Sequence, residues 1–235
     1  MEKKKKIIAA AAAVLALLAA IFAAVLAVSL AGKSEQKRIE KKEENSTGIS
    51  INDIGGLEYG SLYAYSGAFV EDGTDEEVEN VAALSVKNNS SNAYQTVSLK
   101  VKCENGEEYE FFITALLPGK AVAVLEKNRK QYDGTAPTGT PEITESSFYA
   151  FSPDLNADSF EINAVGSVIN LKNISDRDFT NDVYVYYKNT ADGNQLGGIT
   201  YRVNFGALKA GELSQRSSSH FSADNSEILY ITYGE

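Results

Sequence analysis

The sequence predicts a mainly β protein in which a single N-terminal transmembrane helix precedes two tandem β-sandwiches. Three observations lead to this fold class. Residues 7–31 form a run of 25 residues without a charged side chain. Short motifs recur in the same order, 85 to 92 residues apart. After residue 50 apolar and polar residues alternate and no long amphipathic helical pattern occurs, which is typical of strands that bury one face.

The N-terminal run predicts a membrane anchor. Residues 1–6 are a basic tail, and Ser29 is the single polar residue of 7–31. At about 1.5 Å per residue, a helix of this length exceeds the roughly 30 Å hydrocarbon core of a bilayer. We therefore expect a signal anchor at 7–31. The alternative is a signal peptide cleaved after Ala31, because small residues stand three positions and one position before that cleavage site.

The orientation of this helix is predicted from the basic residues that flank it. Four lysines lie in 3–6 and five Lys or Arg lie in 33–42, so counting alone is nearly a tie. We favour a cytoplasmic N-terminus, since the compact lysine block would otherwise cross the membrane. The predicted location is the cell membrane, single-pass, with the C-terminal domains extracytoplasmic. Alanines four apart, such as Ala16 and Ala20, permit a helix-mediated oligomer, although an alanine-rich helix also produces this spacing by chance.

Charge is divided along the chain. Residues 1–44 carry nine Lys/Arg and five Asp/Glu, whereas the remainder carries 13 and 27, a balance of −14. So acidic a region repels a phosphate backbone, which excludes nucleic acid as a partner. Residues 32–56 are too polar to build a core and predict a solvated stalk. Because Cys103 and His220 are single residues of their type, an intrachain disulfide and a Cys-based zinc site are excluded.

Internal matches predict a duplication. SLYAYS (61–66) matches SFYAFS (147–152), and VKNNS (86–90) matches LKNIS (171–175). ALLPG (115–119) matches ALKAG (207–211) in the same order. We expect one module at 57–135, a linker at 136–142 and a second module at 143–235. The first motif returns a third time as ILYITYG near the C-terminus, so either each module ends with this strand type or the last strand closes the second sheet.

Each copy carries a strand and hairpin pattern. In the first copy Val97, Leu99 and Val101 alternate with polar residues, and the lone Cys103 continues the apolar face. The dipeptide Asn105-Gly106 then predicts a tight turn. In the second copy alternating apolar residues begin at Val183 and the turn falls at 192–193. Short strands with turns at this spacing favour small β-sandwiches.

The order of these motifs resembles a known family. A Lys-Asn-x-Ser turn, an alternating strand, a Gly-containing hairpin and a Leu-x-x-Gly turn follow one another in both copies. The sequence resembles the FxLYD-type, immunoglobulin-like modules of bacterial membrane-anchored envelope proteins. The resemblance implies a secreted or anchored module without catalytic residues. The residues that carry it are Lys87-Asn88, Ser90, Asn105-Gly106 and Leu116–Gly119 in the first copy, and Lys172-Asn173, Ser175, Asp192-Gly193, Leu208, Gly211 and Glu212 in the second.

No catalytic or cofactor site is predicted. His220 is the only histidine, so any histidine-based mechanism must use it. Serines and acids stand beside it in 217–227, but no nucleophile-elbow motif is present. We expect an exposed histidine before a polar loop. The chain is therefore predicted not to be an enzyme and to need no cofactor.

The acidic segment 71–80 raises the question of a cation site. Hard cations such as calcium bind several oxygen ligands at once, and the candidates here are Asp72, Asp75, Glu76 and Glu77. The spacing does not match an EF-hand, because Gly73 comes too early. We predict no metal site and interpret the segment as a solvated acidic loop.

Outward aromatic residues predict a binding face. If Val183 faces the core, then Tyr184 and Tyr186 face outward, with Arg202 beside them on the paired strand. Arg177 lies in the preceding turn. Tyr and Arg are enriched at binding hot spots. The alternatives are ordinary cross-strand packing or an interface between the two modules.

These observations predict a non-catalytic, membrane-anchored extracytoplasmic protein that acts as a binding or structural module of the cell envelope. The membrane is contacted through residues 7–31, and the expected partner is an envelope protein or a wall polymer. The alternative is a sensor or regulatory subunit of a membrane complex with a ligand-binding β ectodomain. Because only six residues precede the helix, such signalling would require a partner protein.

Overall fold

Alternation of apolar and polar residues after residue 50 produces a mainly β structure. The computed structural model describes residues 51–54 and 56–234. The predicted basic tail, transmembrane helix and first part of the stalk lie outside the described residues. In the part of the chain that is described, no helix has the length and hydrophobicity needed to cross a membrane. The strands are β1 (Ile51–Ile54), β2 (Leu57–Phe69), β3 (Glu76–Asn88), β4 (Tyr94–Lys102), β5 (Glu108–Leu116), β6 (Ala121–Leu125), β7 (Glu142–Phe148), β8 (Phe160–Val165), β9 (Val168–Asn173), β10 (Phe179–Ala191), β11 (Asn194–Leu208), β12 (Leu213–Ser217) and β13 (Ser226–Tyr233).

The same six-strand arrangement occurs twice. In the first copy β3 pairs with β2 and β6, and β4 pairs with β5 and β7. In the second copy β9 pairs with β8 and β12, and β10 pairs with β11 and β13. These pairings are antiparallel in both copies. We call β2–β7 the first repeat and β8–β13 the second repeat.

This strand order separates two of the matched motifs. SLYAYS lies in β2, whereas SFYAFS (147–152) begins at the end of β7. Because β7 pairs with β4, it occupies in the first repeat the place that β13 occupies in the second. β7 therefore closes the first repeat, whereas the sequence comparison begins the second module at residue 143. The third copy of the motif, in β13, marks the same position: each repeat ends with this strand type.

Each repeat buries a hydrophobic core between its two sheets. In the first, the predicted face of β4 is buried: Val97, Leu99 and Val101 are at most 1% exposed. Cys103 continues that face and is buried as expected, and burial raises the pKa of its thiol. In the second, Val183 and Val185 are fully buried and pack with residues of β9, β11 and β13. Both alternations predicted from the sequence are confirmed.

The Lys-Asn-x-Ser motif forms the same buried turn in both repeats. The side-chain amide of Asn88 donates to the carbonyl of Leu116 (3.0 Å), and its oxygen accepts the backbone N–H of Ser90 (2.9 Å). Asn173 makes the corresponding bonds to Leu208 (3.3 Å) and Ser175 (3.0 Å). Both asparagines are 0% exposed. Because a buried amide requires these partners, the motif joins two strands in each repeat and is structural.

The two repeats share one sheet. β6 of the first pairs in parallel with β11 of the second, at Val122–Gln195 and Ala123–Leu196. The resulting seven-stranded sheet runs in the order β1-β2-β3-β6-β11-β10-β13. β1 (Ile51–Ile54) lies within the range that the sequence assigned to the stalk and pairs with β2. Its composition fits a strand, since two of its four residues are β-branched isoleucines.

Two glycines permit the close approach at this junction. Gly197 has a φ of +81°, and a Cβ there would lie 2.1 Å from Cγ2 of Val70. At Gly198 a Cβ would lie 1.7 Å from the carbonyl oxygen of Phe112, in β5. A side chain at either position would push the first repeat away from β11. The dipeptide therefore sets how closely the repeats pack.

Candidate functional site

The predicted outward tyrosines lie where the two repeats meet. Along β10, Val183 and Val185 point into the core, whereas Tyr184 and Tyr186 point to the opposite face and are half-buried. The ring of Tyr186 stacks on Tyr230 of β13, with 4.3 Å between centroids and 11° between planes. This stacking is cross-strand packing, one of the two alternatives to a binding face. Tyr186 also packs in one cluster with Ala115 and Leu117 of the first repeat, so it lies at the junction as well.

Residues after β7 complete an aromatic cluster around Tyr230. The hydroxyl of Tyr149 lies 2.7 Å from the hydroxyl of Tyr230, so the two form a hydrogen bond. The ring of Phe151 contacts Tyr149 edge-on at 5.2 Å and is 51% exposed. Sequence reasoning missed Tyr149, Phe151 and Tyr230, although the recurring strand motif that contains all three was noticed.

These side chains line an open cavity of about 380 Å³, which we call the tyrosine groove. One side comes from β4 and β5 of the first repeat, and the floor comes from β10, β11 and β13 of the second. No lysine, arginine, aspartate, glutamate or histidine is among the described residues that line it. The lining residues are Gln95, Thr96, Thr114, Tyr149, Phe151, Tyr186, Thr200, Tyr230 and Thr232.

Threonine hydrogen bonds fix the base of the groove across the junction. The hydroxyl of Thr200 donates to the carbonyl of Thr114 (3.1 Å), and the Thr114 hydroxyl lies 2.9 Å from that of Thr200. Thr114 belongs to the first repeat and Thr200 to the second. The hydroxyl of Thr96 bonds to that of Ser147 at 2.7 Å, which holds β4 to β7. The side from the first repeat and the floor from the second are therefore hydrogen-bonded to each other.

Two tyrosines of the groove, Tyr149 and Tyr230, remain neutral at physiological pH. Burial raises the pKa of Tyr230 far above its ordinary value, and the hydrogen bond to Tyr149 raises it further. Burial also raises the pKa of Tyr149. The phenols therefore act as hydrogen-bond donors and acceptors.

Charged groups sit at the rim. The guanidinium of Arg202 lies over the ring of Tyr184, 4.9 Å from its centroid. The Tyr184 hydroxyl donates to Asp182 at 2.9 Å, and this hydrogen bond raises the pKa of the tyrosine. Asn204 donates to the same carboxylate at 2.9 Å. Tyr184 and Arg202 are thus brought together as predicted, beside the groove and outside its lining.

Arg177 lies elsewhere. Its guanidinium is 4.7 Å from the ring centroid of Phe179 and 5.3 Å from that of Tyr233. Phe179 belongs to the core of the second repeat, and Tyr233 packs against that core. Arg177 therefore covers the end of the core, and the structure does not bring it to the tyrosine face.

The four calcium candidates are dispersed among other contacts. Asp72 and Glu76 both bond to Arg129, the latter at 2.9 Å. Asp75 contacts His220, and Glu77 is an exposed residue of β3. Within residues 51–54 and 56–234, no three His, Cys, Asp or Glu side chains are grouped as ligands for a metal ion. Ion pairs therefore hold part of the acidic segment 71–80, and the prediction of a solvated loop describes only the rest of it.

The pair Asp75–His220 joins the repeats on the other side of the junction. Nδ1 of His220 lies 2.9 Å from Oδ2 of Asp75. The imidazole stacks on the ring of Tyr201 at 5.1 Å and 14°, and the Tyr201 hydroxyl donates to the carbonyl of Val70 at 3.0 Å. The histidine side chain is 29% exposed. Since 145 residues separate the pair, no local sequence signal could have found it.

Glu71 and Lys188 hold the junction itself. Glu71 accepts the N–H groups of Gly198 (2.6 Å) and Ile199 (3.2 Å). Lys188, fully buried, donates to the carbonyls of Gly197 (3.2 Å) and Gly198 (2.6 Å). Two successive peptide groups therefore point their N–H ends at the carboxylate and their oxygens at the ammonium. The sequence placed Glu71 in a solvated acidic loop; here it is bonded to the backbone of the second repeat.

Comparison with known proteins identifies no family for this chain. No protein-family model matches the chain, and a search of curated proteins finds no match.

Proposed function

We propose that this protein is a non-catalytic, membrane-anchored extracytoplasmic binding protein of the cell envelope, and that the tyrosine groove holds its partner. The groove itself is the main observation that supports this proposal. An uncharged cavity lined by aromatic rings and threonine hydroxyls lies at the junction of two repeats in an otherwise acidic region. Concave, mostly apolar sites with a few polar groups are where ligands bind.

Each repeat, in this proposal, is an immunoglobulin-like β-sandwich of the FxLYD type. In each repeat a core lies between a three-stranded antiparallel sheet and three antiparallel strands of the shared seven-stranded sheet, which supports this. The repetition of the same buried asparagine turn at Asn88 and Asn173 supports it as well. Such modules supply a rigid support, and their loops and outer faces supply the binding residues.

The anchor and the charge distribution support the proposed location. The uncharged run 7–31 has the length of a membrane-spanning helix, and the polar residues up to residue 50 would give the repeats reach from the membrane surface. The partner is then another component of the envelope, either a protein or a wall polymer. Positioned close to the membrane, the groove would hold that component near its attachment point.

The partner of Ser218 supports a non-enzymatic role. A serine nucleophile needs a histidine within hydrogen-bond reach. The Ser218 hydroxyl, two residues from His220 in sequence, bonds instead to the hydroxyl of Tyr187 at 2.7 Å.

Photo-crosslinking in intact cells tests the binding role. A photoreactive phenylalanine analogue is placed at position 95, an exposed residue at the edge of the groove. The full chain should form a mass-shifted adduct after irradiation. The additional change Phe151→Ser should reduce the yield strongly, because it removes an exposed wall of the groove.

The matched control is Phe148→Ser. Phe148 is similarly exposed, at 48% against 51% for Phe151, and lies three residues away without lining the groove. This variant should crosslink like the parent chain. Absence of an adduct from position 95, or an equal yield in the Phe151 and Phe148 variants, would overturn the proposal.

A further inference from the structure

We infer that the tyrosine groove binds an uncharged saccharide chain. This inference rests on the proposed function and names its ligand class. The observations that carry it are the neutrality of the lining, the polar groups left free inside the groove, the fixed aromatic rings and the size of the cavity.

The lack of charged side chains in the described lining of the groove disfavours charged ligands. Outside residues 1–44 the chain carries 27 acids against 13 basic residues, yet no Lys, Arg, His, Asp or Glu is among the described residues that line the groove. An anionic ligand would find no cation among the described lining residues, and the nearby Arg202 lies over the ring of Tyr184 outside that lining. A cationic ligand would find no carboxylate in the described lining, and the nearby Asp182 already accepts hydrogen bonds from Tyr184 and Asn204. Electrostatic complementarity therefore favours a neutral ligand.

Three polar groups in the groove are available to a ligand. Within the described residues, the side chains of Gln95 and Thr232 and the hydroxyl of Tyr186 make no hydrogen bond, while other hydroxyls of the lining pair with one another. An amide and two hydroxyls offer both donors and acceptors. A ligand rich in hydroxyl or acetamido groups can satisfy them, whereas an apolar peptide segment would bury them unpaired at a cost.

The aromatic residues provide apolar surfaces between these polar groups. Tyr186 is held against Tyr230 by stacking, and Tyr230 is held by Tyr149 through a hydrogen bond. Because the rings are fixed before a ligand arrives, little conformational entropy is lost on binding. A sugar ring combines an apolar C–H face with equatorial hydroxyls, which matches a site where rings and hydroxyls alternate.

The size of the site also favours a short length of chain. The groove has about 380 Å³, within the usual range of roughly 300–1,000 Å³ for small-ligand pockets. A stable protein–protein interface buries about 1,200–2,000 Å², which would extend far beyond the groove. An open cavity of this volume suits a few sugar units of a longer polymer.

Titration calorimetry of the full chain in lipid nanodiscs tests the inference. The probes are linear tetramers of N-acetylglucosamine, of glucose and of galacturonic acid, the last being the charged counterpart. At least one neutral tetramer should bind, and the acidic tetramer should bind more weakly. Since the chain has no tryptophan, tyrosine fluorescence gives an independent readout of binding near the groove.

Variants separate the contributions of rings and hydroxyls. Phe151→Ser should weaken binding of the neutral tetramer about tenfold or more, as loss of a hot-spot aromatic residue does. Thr232→Val, which keeps the shape and removes the hydroxyl, should weaken it about threefold or more. Phe148→Ser should leave the affinity within about twofold. Failure of both neutral tetramers to bind, or equal effects of the two Phe variants, would overturn the inference.

The crosslinking experiment distinguishes this failure from failure of the proposed function. If the adduct at position 95 is a protein and depends on Phe151, the protein binds through its groove and the saccharide inference is wrong. If the adduct resists protease and is shortened by glycan-cleaving enzymes, the inference is supported. If no adduct depends on Phe151, the groove is not a binding site and both proposals fall.

Discussion

Asn88 shows how one side chain can fix a turn. It is 0% exposed, donates to the carbonyls of Leu116 and Asn92, and accepts the N–H of Ser90. Asn173 repeats this arrangement in the second copy. The sequence match therefore identified a structural residue correctly, because a turn that depends on one amide is visible as a short spacing that recurs within the chain itself.

Asn88→Ala should lower the free energy of unfolding by about 1–3 kcal/mol, because the substitution leaves buried backbone groups without partners. Urea denaturation of the full chain measures the change. Asn89→Ala is the control: its side chain is exposed and bonds to Glu58, so the loss should stay below about 0.5 kcal/mol. Equal losses in the two variants would contradict the role assigned to Asn88.

Lys188 should make stability depend on pH. Burial lowers the pKa of its ammonium group to about 7, and the carboxylate of Glu71 opposes this shift. In the unfolded chain a lysine has a pKa of about 10.4. Between these values the unfolded state binds more protons, so the free energy of unfolding rises with pH. The contribution of Lys188 to the free energy of unfolding is therefore largest above the pKa of the unfolded chain, about 10.4. This contribution is lost as the pH falls towards 7.

We therefore expect the stability of the wild type, relative to Lys188→Met, to increase from about pH 7 to pH 9.5 by up to about 1.4 kcal/mol per pH unit. Urea denaturation at several pH values measures both chains. Lys172→Met, at an exposed position of β9, should follow the wild-type curve. A wild-type curve parallel to that of Lys188→Met would disprove the effect.

At the scale of the elements, the packing of β11 against β5 depends on the absence of a side chain. A Cβ at Gly198 would meet the carbonyl oxygen of Phe112 at 1.7 Å, and a backbone atom cannot rotate away. Gly198 also presents its N–H to Glu71 and its carbonyl to Lys188. Steric room and hydrogen bonding therefore constrain the same residue of the strand.

Gly198→Ala should lower the free energy of unfolding by about 3 kcal/mol or more, because overpacking against backbone forces β11 and β5 apart. The same change at Gly139, where an added Cβ would have no atom within 4 Å, should cost less than about 0.5 kcal/mol. Thermal or urea unfolding measures both. A tolerated alanine at position 198 would show that the junction can open without loss.

At the scale of the whole molecule, local patterns predicted much of each repeat and little of the way the repeats meet. Hairpins and buried faces follow from alternation and from turn residues such as Asn105-Gly106, which act within a few positions. The junction brings together Asp75 with His220 and Glu71 with Ile199, groups that lie 145 and 128 residues apart. Nothing in the local composition of an acidic loop distinguishes a solvated carboxylate from one bonded across a junction.

The tyrosine groove likewise combines features that local sequence patterns predict with features that depend on distant parts of the chain. Alternation along β10 correctly turned Tyr184 and Tyr186 away from the core, because period-two geometry is local. Tyr149 and Phe151 reach the groove only because β7 closes the first repeat and the chain then crosses to the second. The strongest sequence match, between SLYAYS and SFYAFS, pairs strands at different positions of the fold. Strands with similar packing environments have similar sequences, so such a match does not show that the two strands occupy equivalent positions in the fold.

The pairing of β6 with β11 also bears on aggregation. β6 has the sequence Ala-Val-Ala-Val-Leu, without a charge or a proline, and such a strand with a free edge invites pairing between molecules. β11 covers that edge at Val122 and Ala123. A chain cut after residue 150 would expose it, and we expect light scattering of the detergent-solubilised proteins to show that such a fragment forms larger assemblies than the uncut chain. The second copy thus protects the first from insolubility.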